Sequence, residues 1–140
     1  MTPRVLRRRA DWPERLNALI EERRQAPFAW GSQDCCSFAA DCTLAMTDVD
    51  VMAALRGYST EAEADAIVGA EGMEAMVARV LAEHGAPEVA TVLAQRGDWI
   101  IARLGNLMPC GVHLGSCVAV PGDTRLAFLP ASRVVRAWRV

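Results

Sequence analysis

No stretch of this chain reads as a membrane span, which needs about 20 consecutive apolar residues. The basic triplet Arg7-Arg8-Arg9 is not followed by the apolar segment of an export signal. The expectation is a chain with neither signal peptide nor anchor, made in the cytoplasm. Histidine is scarce: His84 and His113 are the only two, so any imidazole chemistry falls to one of them. The five cysteines are odd in number and lack framework spacing, which suits a reducing compartment and not a disulfide scaffold. A net charge of −2 leaves no overall basic field to recruit nucleic acid. Internal repeats and low-complexity linkers are missing too. What is present is a globular composition, 52% hydrophobic over 140 residues, enough for one domain with its own core. Residues 1–140 are read as that domain, with 1–10 a basic N-terminal arm that is either a solvated tail or a docking contact to another protein.

The first half is patterned for helices. Asp11 with Glu14 three residues on, and Pro13 between them, is a capping signature. Trp12, Leu16, Leu19 and Ile20 then form an apolar face that Pro27 ends. A second helix is expected over 34–46, a short helix or turn within 47–57, and a third helix opening at Ser59 or Thr60 ahead of Glu61 and Glu63. Residues 72–84 carry Met73, Met76, Val77, Val80 and Leu81 on one face, and Gly85 ends that run. His84 at its C-terminal end suits a capping role. After Gly97 the pattern turns to short strands at 99–104, 111–114, 117–120, 126–129 and 134–140, with Gly115-Ser116 as a hairpin turn. Helices first and strands later imply an α+β fold with a small antiparallel sheet or barrel.

The densest clue is FAWGSQDCCSFAADC at 28–42. It sets Cys35 directly after Asp34, at the expected start of the second helix. Unpartnered N–H groups and the macrodipole there favour negative charge. A thiolate is such a charge, so Cys35 is a candidate nucleophile. The alternative is plain packing, as expected for Cys42, which falls with Phe38 and Ala39 on an apolar stripe. Cys36, about 100° round the helix from Cys35, is expected to play a separate part. Trp30 and Gly31, in the loop before the helix, are placed to line a substrate groove. Trp12, Trp99 and Trp138 are expected in the core or the cleft wall.

A nucleophilic cysteine needs a base, and His113, in an expected strand, is the candidate; a half-exposed sheet residue is the alternative. The spacing of Cys110, His113 and Cys117 also brings zinc to mind. Structural zinc wants four ligands, however, so that the fourth would have to come from a distant Cys35, Cys36 or Cys42, and strand alternation turns Cys110 and His113 to opposite faces. No metal is assigned.

The order Trp-Gly loop, Asp34-Cys35, Gly97-Asp98-Trp99-Ile100 and a final GVHLG resembles the NlpC/P60 cysteine peptidases, with their D-C-S-G-L, G-D-L-V and H-V-G-I-Y-L-G segments. The chain is closer still to a small group of phage and prophage tail-region proteins related to them, through FAWGSQDCCSFAAD, RGYS, RGDWI and LPASRVVRAWRV. The resemblance implies a papain-like fold in which the Cys35 helix packs on an antiparallel sheet. It implies a component of a virion or tail particle, acting on cell-wall stem peptides with no cofactor. Its partners would be other tail proteins and the peptidoglycan peptide. Cys35 takes the nucleophile's place, Asp34 the family's aspartate, and His113 that of the base. Two registers stay open for the last assignment. Matching HLG to H-V-G puts His113 on the family histidine; matching Leu114-Gly115 to the later L-G puts Pro109 there. The alternative function is a tail-tip module that keeps the fold without the chemistry.

Overall fold

The computed structural model describes residues 6–140. Among them are four α-helices: α1 (Trp12–Arg23), α2 (Cys35–Thr47), α3 (Glu61–Val68) and α4 (Met73–Glu83). Six strands follow: β1 (Glu88–Val89), β2 (Trp99–Ala102), β3 (Cys110–His113), β4 (Val118–Pro121), β5 (Leu126–Leu129) and β6 (Val134–Trp138). They form one antiparallel sheet in the order β1-β6-β2-β3-β4-β5. The fold is α+β, and the sheet has β1 and β5 at its edges.

The period-2 alternation of the strands sorts their side chains between two clusters. Trp99, Ile101, Cys110, Val112, Ala119 and Trp138 join Leu16, Phe38, Met46, Met76 and Leu81 in the main core, under the helices. Ile100, Ala102, Val118, Val120 and Ala137 point the other way, into a smaller cluster covered by Val89, Leu104 and Val134. The central strand β2 is therefore buried on both faces. Its Trp99 indole donates to Thr43 Oγ1 of α2 at 2.6 Å, so the largest core side chain leaves no unpaired N–H.

Several expectations change. Asp11 stands at the N-cap of α1 without a side-chain cap bond, because its carboxylate accepts from Arg9 instead. Thr60 does cap α3, accepting from Glu63 N at 3.1 Å. β1 had no signal, since two residues are too few for a visible alternation. β2 ends at Ala102, where its register with β6 shifts. β4 begins one residue late because the Cys117 carbonyl is spent in the turn, accepting from Leu114 N at 2.8 Å.

The basic arm docks within its own chain; residues 1–5 of it lie outside the described residues. Arg8 donates to the Val140 carbonyl (2.8 Å), the Arg96 carbonyl (2.7 Å) and Asp98 Oδ1 (3.1 Å). Its guanidinium also lies 4.3 Å from the Trp12 ring centroid. Asp98 is fully buried and accepts further from Gln95 N and Val140 N. Gly97, at φ 95°, makes the turn that delivers it. The Gly-Asp pair is thus a clamp between β2 and both ends of the described chain.

Candidate functional site

Helix α2 starts where it does because Asp34 satisfies its first turn. Asp34 Oδ1 accepts from Ser37 N at 2.8 Å, and Oδ2 accepts from Gly31 N at 2.7 Å and from the Tyr58 hydroxyl at 2.6 Å. The Tyr58 hydroxyl is also 3.2 Å from Ser37 Oγ. Gly31 has no substitute here: at φ 82°, a Cβ would sit 1.9 Å from the Tyr58 carbonyl oxygen. Asp34 and Gly31 are bonded to each other and hold the loop, and Asp34, expected with Gly31 at a substrate groove, also lines one. Trp30 stays 37% exposed, edge-on to Phe28 with ring centroids 4.8 Å apart.

These residues open onto a groove of about 780 Å³. Cys35, Cys36 and Tyr58 line its inner side. Ile67, Met73 and Met76 come from α3 and α4, Leu107, Met108 and Pro109 from the β2–β3 loop, Pro121 from the end of β4 and Asp123 from the turn after it. Leu107 is 67% exposed and Met108 37%, so the lip of the groove is apolar. Glu61, Asp65 and Asp123 add carboxylates to the lining.

Cys35 is half-buried at the first position of α2, with Met73 Sδ 3.5 Å from its sulfur. Cys36, expected to play a separate part, joins it: the sulfurs of Cys35, Cys36 and Cys110 all lie within 4.8 Å of one another. Cys110 Sγ is 3.6 Å from Cys36 Sγ. The helical wheel misleads at a helix start, where side chains lean back past the first turn toward whatever packs there. Here that is β3. The Cys110 thiol, then the Cys36 thiol, hydrogen-bond to the Cys35 sulfur; with help from the backbone N–H groups of Cys110 and Cys36 they outweigh burial and hold Cys35 well below the ordinary thiol range. Cys110 is pushed well up by its bonds to Cys35 and Cys36 and by burial. For Cys36 the Cys110 bond lowers the pKa, but the Cys35 bond and burial prevail and raise it. The Cys110 and Cys36 thiols thus favour a negative charge on Cys35 over one on either of themselves. Cys42 lies fully buried elsewhere in the core, and burial raises its thiol pKa.

His113 is not brought to this cluster. Cys110 pairs with Ile101 on the helix-facing side of the sheet, whereas His113 pairs with Val118, a residue of the opposite face. Three residues of strand also separate them, roughly 10 Å. The His113 backbone pairs with Asp98 O (2.8 Å) and Gly97 N (2.7 Å), and its Nδ1 accepts from Gly115 N at 2.9 Å. That bond leaves the neutral ring's proton on Nε2. Burial lowers its pKa, with the Asp98 charge opposing. Cys117 sits in the hairpin turn, away from the grouped sulfurs of Cys110 and its neighbours. His84 caps α4, its Nδ1 2.9 Å from the Val80 carbonyl oxygen.

Chemically, the site offers a thiol of lowered pKa at a helix N-terminus, a largely apolar groove and two further thiols. Tyr58 and Met73 were not foreseen from sequence as parts of it, and Cys36 and Cys110 entered only as ligands weighed for a zinc site. Strand alternation alone gave Cys110 a face, but only its pairing with β2 says that the face is the one under α2. No curated protein matches the chain. A family model described as a domain of unknown function (DUF6950) matches residues 7–140, and the chain belongs to that family.

Proposed function

We propose that the chain is an NlpC/P60-like, papain-type domain of a phage or gene-transfer tail apparatus, whose groove holds a cell-wall peptide without cleaving it by a cysteine–histidine mechanism. The observation that carries this is the neighbour of Cys35 on β3: the thiol of Cys110, with the imidazole of His113 on the other face. A papain-type hydrolase must hand a proton to the leaving amine, and a thiol of raised pKa is a poor carrier.

The register supports the same reading. The hairpin turns at Gly115-Ser116, closed by Leu114 N donating to the Cys117 carbonyl. Counted back from that turn, Gly111 falls on the glycine of H-V-G-I-Y-L-G and Pro109 on its histidine. Glycine is required at 111, where a Cβ would lie 2.1 Å from the Ala119 carbonyl oxygen. Pro109 faces the groove and has no group that moves a proton. The tail assignment rests on the sequence likeness of the FAWGSQDCCSFAAD, RGDWI and LPASRVVRAWRV segments.

Trp30, Met73 and the Leu107–Met108 lip supply apolar walls for a short peptide, and Glu61, Asp65 and Asp123 suit a free amino group on it. Co-sedimentation with purified sacculi is the test. Retention that Trp30→Ala weakens by about tenfold, one buried aromatic contact being worth roughly 1–1.5 kcal/mol, is expected. Failure to co-sediment contradicts peptide binding.

A cysteine peptidase is the second reading. The lowered Cys35 thiol pKa at a helix start, open to the groove, favours it. It requires release of cell-wall fragments that Cys35→Ala abolishes.

A further inference from the structure

We propose that Cys35, Cys36 and Cys110 form an all-sulfur site for a soft thiophilic cation, Cu(I), on the inner wall of the groove. The proposal stands on the geometry of the cluster and is independent of the papain-like reading.

The three sulfurs lie within 4.8 Å of one another, with Cys36 and Cys110 3.6 Å apart. Three sulfurs each about 2.3 Å from a shared ion in a trigonal plane are spaced about 4 Å apart. The cluster brackets that spacing, so small rotamer shifts suffice. Met73 adds a thioether 3.5 Å from the Cys35 sulfur, a fourth soft donor beside the cluster.

The donor set chooses the ion. Thiolate and thioether sulfur select Cu(I), whereas zinc prefers four strong N, S or carboxylate ligands. The adjacent carboxylate, Asp34, is occupied by Ser37 N, Gly31 N and the Tyr58 hydroxyl. His113 lies on the other sheet face. Hard and borderline ions therefore find no fourth ligand from these side chains. The first turn of α2 and the backbone N–H groups of Cys36 and Cys110 offset the negative charge of the sulfurs. Cys36 and Cys110 are buried while Cys35 opens to the groove, which gives the ion a way in. On binding, each ligating sulfur that still carries a proton gives it to water, and no electron changes hands. An ion on Cys35 occupies the sulfur lone pair that a nucleophile would use.

The experiment titrates the reduced, metal-free full chain with Cu(I) under anaerobic conditions, in competition with a colorimetric Cu(I) chelator. One equivalent retained is expected, with a sulfur-to-copper band in the near ultraviolet. Alkylation mapped by mass spectrometry should label Cys35 and Cys117 in the metal-free protein and Cys117 alone once Cu(I) is bound, Cys36 and Cys110 being buried in both. Cys36→Ser and Cys110→Ser should each weaken retention by about tenfold or more, the loss seen when even a supporting residue is removed; Cys117→Ser should not. Should the buried serine variants fail to fold, the copper-dependent loss of Cys35 labelling in the unaltered protein decides the matter. Loss of all copper to the chelator, or protection that includes Cys117 equally, overturns the site. Displacement of Cu(I) by an equal concentration of Zn(II) overturns the choice of ion.

Discussion

Cys110 and His113 share strand β3 and look to opposite faces of the sheet. Cys110 meets Cys36 under the start of α2; His113 is bonded to the Gly115 amide at the hairpin. A strand of period 2 cannot present both to the same neighbour. The face under α2 received a thiol, and the imidazole became part of the turn. This parity shapes the chemistry proposed for the groove: a stabilised sulfur anion without a proton carrier beside it.

The turn role of His113 has a pH signature. Burial lowers its pKa below the ordinary imidazole value of about 6.5. Between the folded and unfolded values the unfolded chain binds more protons, so stability rises with pH across that window and levels off above about 6.5. The urea midpoint should fall as pH drops below about 6.5, and His113→Gln should flatten that part of the profile. An unchanged profile in the variant would assign the dependence elsewhere.

Asp34 is expected to matter for stability before it matters for any ligand. Asp34→Ala removes the N-cap of α2 together with the bonds to Gly31 and Tyr58. The cap alone is worth about 1 kcal/mol, and the remaining bonds about 1 kcal/mol each. Tyr58→Phe, which removes only one of them, should cost about 1 kcal/mol. Urea denaturation at neutral pH measures both, and a larger loss for Tyr58→Phe would contradict Asp34 as the hub.

Arg8 should be the costliest of the N-terminal arginines to replace. Arg8→Met leaves the Asp98 carboxylate buried, with Arg139 Nε at 3.7 Å as its remaining cation. The loss of one partner from a buried pair is worth about 3 kcal/mol. Arg8→Met with Asp98→Asn should cost less than the sum of the single changes. Arg9→Ala, whose carboxylate partners are exposed, should cost clearly less than Arg8→Met.

In the reduced, metal-free protein, Cys35 should alkylate with a midpoint clearly below that of a free thiol, about 8.5. Cys110→Ala, which removes the first of the two thiol donors, should move the midpoint up. Iodoacetamide rates across pH, read by peptide mapping, give both values. A Cys35 that titrates like free thiol in both proteins would contradict the shared charge.

The helices were legible because capping residues and apolar periodicity are local signals. Thr60 before Glu61, the stripe of Met76, Val77, Val80 and Leu81, and Asp34 before Cys35 all mark elements that the structure contains. The C-terminal strands were legible for the same reason. What stayed hidden depends on contacts far apart in sequence. Cys36 and Cys110 are 74 positions apart, and their contact follows from how α2 lies on β3. The clamp of Arg8 on Asp98 spans 90 positions, so the arginine triplet alone reads as a free basic arm. Tyr58 is tied to Asp34 through a loop whose path the sequence pattern does not trace.

The groove, as proposed, retains a stabilised cysteine but lacks a histidine partner for hydrolysis. The most direct measurement is the mass-spectrometric yield of fragments released from purified peptidoglycan by the full chain, beside Cys35→Ala and His113→Ala. The account predicts the same yield from all three, at the level of a protein-free control. Release by the unaltered chain that disappears in both Cys35→Ala and His113→Ala would contradict it.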